Sequence, residues 1–158
     1  MSTPTQTGQT FVILLGGTLE ATPRLRADMI GARFVAADGG MRHAAALGVT
    51  PEIWVGDFDS TPPALIDAWA EVERQPYPAA KNETDGAIAV AAAAERGARR
   101  IVLAGALGGE RSDHALMHLL HAISLEEAGF EVKLTSGEEE AWPLLPGARE
   151  IDLPRGSL

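Results

Sequence analysis

Two carboxylates in the segment GDFDS, at positions 56–60, have the spacing of a cation site. Asp57 and Asp59 are separated by one residue and directly follow the apolar run IWV. Carboxylates this close together disfavour double ionisation unless a cation neutralises them. Oxygen ligands with no His or Cys between them suit Mg²⁺ better than zinc. The alternative interpretation is an Asx turn in which Asp59 or Ser60 caps the next helix.

The segment KNETD, at 81–85, places a lysine just before a predicted helix. Thr84 is a candidate N-cap, which puts Asp85 in the first helical turn, where the helix dipole favours a carboxylate. Capping alone would explain Asp85. Lys81 is one of only two lysines in the sequence, and a lysine in such a loop can meet a phosphate as a point charge.

A glycine-rich loop, GALGGERSDH at 105–114, leads into a second predicted helix. Free backbone N–H groups at such a helix start bind anions, and Arg111 could grip a phosphate through two hydrogen bonds. The loop lacks the GK[ST] ending of a Walker A loop and does not match the GxGxxG fingerprint. It therefore argues against generic P-loop or NAD-binding chemistry.

The helix after this loop carries a stripe of three histidines, His114, His118 and His121. Its opposite face is apolar, with Leu116, Leu119, Leu120 and Ile123. Three histidines on one helix rarely close a zinc site without a carboxylate or a cysteine. We therefore expect this stripe to be solvated or to lie at a subunit contact.

Composition excludes several classes of function. The 158 residues include 13 basic and 22 acidic side chains, and the formal charge of −9 disfavours nucleic-acid binding. The absence of cysteine excludes a disulfide framework, a zinc-thiolate site and a thiol nucleophile. The first ten residues lack the basic region of a signal peptide, and no apolar stretch reaches membrane-spanning length. We expect a cytoplasmic protein with neither a membrane nor a nucleic acid as partner.

Short apolar runs alternate with amphipathic segments along most of the chain. The runs predict strands at 11–15, 34–37, 53–55, 101–104 and 130–135, and a weaker strand at 72–76. The segments between them predict helices at 22–30, 41–47, 63–70, 85–96 and 113–128. This alternation predicts an α/β fold, a Rossmann-like three-layer domain with a mainly parallel sheet. Ligands of such sheets bind at the carboxyl ends of the strands, where the Gly and Asp clusters fall.

Four motifs in a fixed order carry a resemblance to a known family. They are ADGG at 37–40, PEIWVGDFDS at 51–60, KNETD at 81–85 and GALGGERSDH at 105–114. Together they resemble the catalytic domain of the thiamine pyrophosphokinases, over roughly residues 11–136. Members of that family transfer the pyrophosphate group of ATP to the hydroxyl of thiamine with Mg²⁺, giving AMP and thiamine diphosphate.

The resemblance implies a set of site residues by position. The catalytic acids would be Asp57, Asp59, Asp85 and Asp113, of which the first three would hold Mg²⁺. Asp113 could accept the proton of the thiamine hydroxyl. The residues around ATP and the substrates would be Asp38, Gly39, Gly40, Lys81, Thr84, Gly108, Gly109, Arg111 and His114.

Three positions depart from the family pattern. Glu110 follows the paired glycines where an arginine is usual, Asn82 replaces an aspartate, and His118 stands where asparagine is common. The first departure shifts Arg111 by one position along the loop.

The resemblance also implies a division of the chain into three parts. Residues 1–9 would form a disordered tail, 10–137 the α/β ATP-binding catalytic domain, and 138–158 the incomplete start of a C-terminal β-sandwich. The Pro-rich segment WPLLPG at 142–147 fits neither a helix nor a central strand. Family members use that sandwich to hold thiamine, often across a dimer interface. We therefore expect a homodimer, and we expect this chain alone to bind nucleotide but to turn thiamine over poorly.

Two other functions fit parts of the sequence. A haloacid-dehalogenase-like phosphatase also places D-x-D after a buried strand and would use Asp57 as a covalent nucleophile. Against it, Asp57 follows the third predicted strand and not the first, and Ser60 lies one position too early. The other alternative is a non-catalytic nucleotide-binding module.

Overall fold

The computed structural model describes residues 9–77 and 83–152. Within them, seven strands form one sheet in the order β4-β3-β2-β1-β5-β6-β7. The strands are β1 (Gln9–Leu14), β2 (Arg33–Ala37), β3 (Ile53–Gly56), β4 (Glu73–Pro76), β5 (Ala98–Ala104), β6 (Glu131–Thr135) and β7 (Glu140–Ala141). The helices are α1 (Pro23–Met29), α2 (Arg42–Leu47), α3 (Pro63–Ala68), α4 (Asp85–Glu95) and α5 (Ser112–Glu127), and a 3₁₀ turn (Asp38–Met41) precedes α2.

The predicted α/β fold with a mainly parallel sheet is confirmed. Each strand from β1 to β6 is parallel to its neighbours, and only β7 runs antiparallel, beside β6. The weaker strand predicted near 72–76 is present as the edge strand β4. None of the described helices is long and apolar enough to cross a membrane.

Two ends of the predicted division look different in the structure. Gln9, assigned to the tail, is the first residue of β1, whereas residues 1–8 lie outside the described part. Glu140 and Ala141, beyond the predicted boundary, form β7 in the same sheet. The boundary at 137/138 stays a prediction.

The sheet is buried on both faces, as expected for parallel strands that read as continuous apolar runs. Along β1, Phe11 and Ile13 point to the α4 and α5 side, and Val12 and Leu14 point to the opposite side. All four are completely buried. Each such side chain stabilises the fold by about 1.5–3 kcal/mol, which makes the strand ends a rigid base for the loops that follow them.

The histidine stripe of α5 turns towards the body of the protein, so two of its members are not fully solvated, whereas the alternative of a subunit contact stays a prediction. Ala122 and Leu125 anchor the C-terminal half of α5 in the core. One turn earlier, the same helical face carries His118 and His121, which are half-buried. The apolar face of the helix is exposed instead. Its side chains are between 37% and 57% exposed, namely Leu116, Met117, Leu119, Leu120 and Ile123.

A buried lysine ties the β6–β7 edge to α1. Lys133 Nζ lies 2.6 Å from Asp28 Oδ2 and 2.8 Å from Glu140 Oε1, and the Lys133 residue is 8% exposed. A buried ammonium group needs such partners, because leaving water costs it several kcal/mol, on the order of 5 or more. The described residues just beyond 137 are therefore packed against the α/β body.

Candidate active site

The candidate site lies where the direction of the strand order reverses. From β1 the chain runs outward to β4 and then returns to β5 on the other side of β1. The loops after β1 and β5 therefore leave the sheet in opposite directions, which opens a crevice at the carboxyl ends of these strands. A cavity of about 430 Å³, here called the β1–β5 cavity, lies between residues 16–18 and residues 105–111.

A second cavity of about 370 Å³, here called the β2–β3 cavity, lies beside it. Its walls come from the ends of β2 and β3 and from the first turn of α4, with Asp38, Gly39, Asp57, Thr84 and Asp85 among the lining residues. The two cavities share Gly16, His114 and His118. The two cavities therefore lie side by side at the same edge of the sheet, and together they are called the cleft.

Close backbone packing shapes the loop after β1. Leu15 N donates to Ala104 O at 2.7 Å, and Gly17 N donates to Gly105 O at 2.9 Å. A β-carbon at Gly17 would overlap the carbonyl oxygen of Gly105, whereas a β-carbon at Gly16 would meet open space. Glycine at position 17 thus lets the two loops of the crevice hydrogen-bond directly.

Asp38 is held in a strained backbone conformation at the end of β2. Its φ of 42° lies in the left-handed region, which a residue with a side chain rarely adopts. The indole Nε1 of Trp54 donates to Asp38 O at 2.9 Å and fixes the turn. Strain of this kind, on the order of 1–3 kcal/mol, is typical of functional sites.

The environment of the β2–β3 cavity raises the pKa of one of its carboxyl groups, that of Asp38. Burial raises the pKa of Asp38 to about 8, and a hydrogen bond with Asp85 and the charges of Asp85 and Asp57 act in the same direction. Asp38 Oδ1 is buried and has no hydrogen-bond partner within the described residues. In the absence of a cation, burial and the neighbouring carboxylates therefore favour the protonated form of Asp38.

The two acids of the GDFDS segment occupy different places. Asp57 lines the β2–β3 cavity, whereas Asp59 is exposed and lines neither cavity. Asp59 N donates to Asp57 Oδ1 at 3.0 Å. An Asx turn is therefore present with Asp57 as its acceptor, and α3 begins after Pro62 without a side-chain cap from Asp59 or Ser60.

The predicted cap of α4 is confirmed. Thr84 Oγ1 accepts a hydrogen bond from Ala87 N at 3.2 Å, and Asp85 lies in the first turn. Lys81 and Asn82 lie outside the described residues. No group of three His, Asp or Glu side chains within 9–77 and 83–152 is arranged to hold a metal ion, so Asp57, Asp59 and Asp85 are not gathered into a ready-made cage.

A sequence profile described as the catalytic domain of thiamin pyrophosphokinase matches residues 31–134, which run from just before β2 to near the end of β6. The chain belongs to this family. No curated protein sequence matches the chain.

Solved structures of pyrophosphokinases share the fold. A thiamin pyrophosphokinase from Geobacillus thermodenitrificans is 32% identical with a TM-score of 0.66, and the alignment covers 80% of this chain and 59% of that one. A family protein from Enterococcus faecalis is 25% identical with a TM-score of 0.65, covering 84% and 63%. The Bacillus subtilis enzyme, at 24% identity and a TM-score of 0.66 over 80% and 60%, is similar in fold. The chain thus spans about 60% of the length of these relatives.

In this pyrophosphokinase-family domain, Arg111 and Asp113 engage each other. Arg111 Nε and Nη2 donate to the two carboxylate oxygens of Asp113 at 3.0 and 2.7 Å. The Arg111 guanidinium thereby lowers the pKa of Asp113 to about 2. Arg111 lines the β1–β5 cavity, but Asp113 is exposed and lines neither cavity.

His118 forms part of the wall between the two cavities of the family domain. Its half-buried ring packs against Gly86 in the first turn of α4. Burial, together with the charges of His114 and His121, lowers the pKa of His118 to about 4. The imidazole is therefore neutral at physiological pH and presents one donor and one acceptor.

Several residues of the cleft, among them Arg42 and Thr18 of the β1–β5 cavity, were missed by the sequence analysis, and three described predicted residues, Gly40, Asp59 and Asp113, line neither cavity. Gly16 and Gly17 also line the β1–β5 cavity. They belong to the glycine clusters expected at the strand ends. Gly40 lines neither cavity, because it packs under the backbone of Leu14 with no room for a β-carbon. The signals for the missed residues were the glycine pair after β1 and the arginine directly after the DGGM turn.

Proposed function

We propose that the chain takes part in transferring the pyrophosphate group of ATP to the hydroxyl of thiamine, giving AMP and thiamine diphosphate. The observation that carries this proposal is the cleft itself. Carboxylates line one end, and a glycine-rich loop with guanidinium groups lines the other. Membership of the pyrophosphokinase catalytic-domain family supports the same reaction.

The charges along the cleft separate in a way that suits these substrates. The β2–β3 cavity is lined by Asp38, Asp57, Glu83 and Asp85, with no cation among its described lining residues. The β1–β5 cavity has Arg42 and Arg111 against a single acid, Glu110. A polyphosphate is attracted to the second cavity, and cations such as Mg²⁺ or the thiazolium ring of thiamine are attracted to the first.

The donor set in the β2–β3 cavity fits Mg²⁺. This ion is usually bound by one or two carboxylates together with substrate phosphates, so no cage of three protein ligands is required. We propose Asp57 and Asp85 as its ligands, with the unpartnered oxygen of Asp38 beside them. Asp59, the third predicted ligand, would have to move from its exposed position. When bound, the ion would offset the negative charge on the phosphate oxygens.

The protein's own groups would act mainly by positioning and by electrostatics. The backbone of Gly108 and Gly109 and the Arg111 guanidinium would hold the phosphate chain at the β1–β5 cavity. Lys81, which precedes α4 in the sequence, stays a predicted phosphate contact. Asp113 stays the predicted acceptor of the hydroxyl proton, and it would have to separate from Arg111 first, because a carboxyl with a pKa of about 2 is a weak base.

The phosphatase alternative is not favoured. Asp57 follows β3, and its Oδ1 already accepts a hydrogen bond from Asp59 N. Membership of the pyrophosphokinase catalytic-domain family also counts against a phosphatase.

Product analysis tests the proposed function. The chain is incubated with ATP, thiamine and Mg²⁺, and the nucleotides and thiamine esters are separated by chromatography. AMP and thiamine diphosphate formed in equal amounts would support the proposal. Release of inorganic phosphate would instead indicate a phosphatase. Slow formation of AMP is the expected result for this chain alone, whereas ATP binding by calorimetry with no AMP above a protein-free control would indicate a nucleotide-binding module.

We also propose that the protein acts as a cytoplasmic homodimer. The exposed apolar face of α5 is the feature of the described structure that supports self-association. Sedimentation equilibrium over a range of concentrations tests the dimer, and a monomer at micromolar concentration would contradict it.

A further inference from the structure

Arg42 is the first residue of α2, directly after the strained turn at Asp38, and its exposed side chain lines the β1–β5 cavity. Arg42 Nη2 donates to Gly16 O at 2.6 Å and lies 3.5 Å from Gly17 O. The neighbouring His43 Nε2 lies 2.9 Å from Gly17 O. One edge of the Arg42 guanidinium therefore holds the loop after β1.

The remaining donors of Arg42 are not engaged within the described part of the chain. A guanidinium has five N–H donors in a fixed fork, and Arg42 makes neither an ion pair nor another side-chain hydrogen bond there. Arg111, the other arginine of this cavity, is held by both oxygens of Asp113. Of the two guanidinium groups, Arg42 thus carries the charge that no described carboxylate neutralises.

The glycine-rich loop supplies another part of the lining of the same cavity. Gly108 and Gly109, with φ values of 73° and 100°, leave this stretch of the wall as backbone, and Glu110 is the one acid among the described lining residues. A cavity lined by an unpaired guanidinium and by glycine backbone suits an anion with several oxygens.

We propose that Arg42 is an anion-binding residue of this cleft, whose free guanidinium edge binds phosphate oxygens while its other edge holds the Gly16–Gly17 loop. The class of ligand is an inorganic or nucleoside polyphosphate. The proposal that this anion is the phosphate chain of ATP rests on the proposed function. The proposal that Arg42 binds a polyphosphate does not.

The test compares Arg42→Gln and Arg42→Lys with the unchanged chain. Arg99→Gln is the matched control, because Arg99 is an exposed arginine at the start of β5, at the opposite end of the strands from the cleft. Binding of inorganic triphosphate, ATP and adenosine is measured by calorimetry at low and high salt, and thermal unfolding is recorded for each variant.

Arg42→Gln is expected to weaken triphosphate and ATP binding by about 10- to 100-fold, the usual effect of losing a charge-assisted hydrogen bond. It should also reduce the salt dependence of binding and leave adenosine binding unchanged. Arg42→Lys should keep the salt dependence but recover only part of the affinity, because a lysine lacks the fork. Arg99→Gln should bind all three ligands as the unchanged chain does.

Three results would overturn the inference. The first is triphosphate affinity in Arg42→Gln equal to that of the unchanged chain. The second is no triphosphate binding by the unchanged chain. The third is an equal loss of adenosine and triphosphate binding with a lowered unfolding temperature, which would reduce Arg42 to a support for the loop. Absence of AMP in the product assay would instead count against the proposed function and leave an Arg42-dependent triphosphate site standing.

Discussion

The imidazole ring of His118, on α5, lies against the α-carbon of Gly86 in the first turn of α4. A β-carbon at Gly86 would come within 2.9 Å of His118 Cε1 and 3.2 Å of Nδ1. The missing side chain at position 86 therefore allows an aromatic ring to close the gap between two helices at the cleft.

This contact predicts a strong coupling between positions 86 and 118. Gly86→Ala should lower the free energy of unfolding, although alanine is favoured over glycine in a helix by up to about 1 kcal/mol. In a His118→Ala background, where the ring is gone, the same substitution should become stabilising. Urea unfolding of the four proteins of this double-mutant cycle measures the coupling. Equal effects of Gly86→Ala in both backgrounds would contradict the contact.

The neutral state of His118 predicts how stability varies with pH. Its pKa is about 4 in the folded protein and near 6.5 when unfolded, so the unfolded chain binds more protons between these values. The free energy of unfolding should therefore rise from pH 4 to pH 6.5, with no further contribution from His118 above that range. His118→Gln should flatten the slope relative to the unchanged protein. Burial also lowers the pKa of His43 and His121, which add to the slope in both proteins. The contribution of His118 is therefore the difference between the two slopes.

The different placement of Asp57 and Asp59 predicts unequal effects on Mg²⁺-dependent ATP binding. Asp57→Asn removes a charge from the β2–β3 cavity but keeps the oxygen that accepts from Asp59 N, so the fold should survive. We expect its affinity for Mg-ATP to fall by about tenfold or more. Asp59→Asn should lower the affinity less than Asp57→Asn does, because Asp59 would first have to move from its exposed position to reach the ion. Calorimetry with wild-type affinity in Asp57→Asn would contradict the assignment of Asp57.

The adjacent glycines after β1 should respond oppositely to alanine. Gly17→Ala forces a β-carbon onto the carbonyl oxygen of Gly105 and should cost about 1–3 kcal/mol of stability. Gly16→Ala meets open space and should stay within about 0.5 kcal/mol. Thermal unfolding of the two single variants decides this, and similar losses for both would show that local backbone flexibility matters more than the packing of the two loops.

Removal of the buried ammonium group of Lys133 should be among the most damaging single changes. Lys133→Met leaves Asp28 and Glu140 without their shared cation and should cost about 3–5 kcal/mol. Replacing the two acids by Asn and Gln in the same protein should recover most of that loss. Urea unfolding measures both changes. An intact stability in Lys133→Met would mean that Arg24, beside Glu140, and Arg100, beside Asp28, suffice as partners for the two carboxylates.

The amino-acid sequence alone determined the fold class and the region of the site. The apolar runs of β1 and β5 are continuous and are followed by glycine. Strands of this composition are buried on both faces, which is typical of a parallel sheet covered by helices. In that architecture the carboxyl ends of the strands meet, so Asp38, Asp57 and the 105–114 loop could be assigned to one edge. The Thr84 cap was also predictable, because capping depends on neighbouring residues alone.

Only the tertiary structure decided which of these residues share a cavity. Arg42 meets Gly16 across 26 residues of sequence, a contact that no local pattern encodes. The face of α5 that turns inward follows from packing against the rest of the domain, and both of its faces were compatible with the helical period. The exposure of Asp59 depends on where its loop lies in space. Local sequence specifies backbone conformation over a few residues, whereas the charge and the shape of the cleft arise from contacts between segments far apart in the chain.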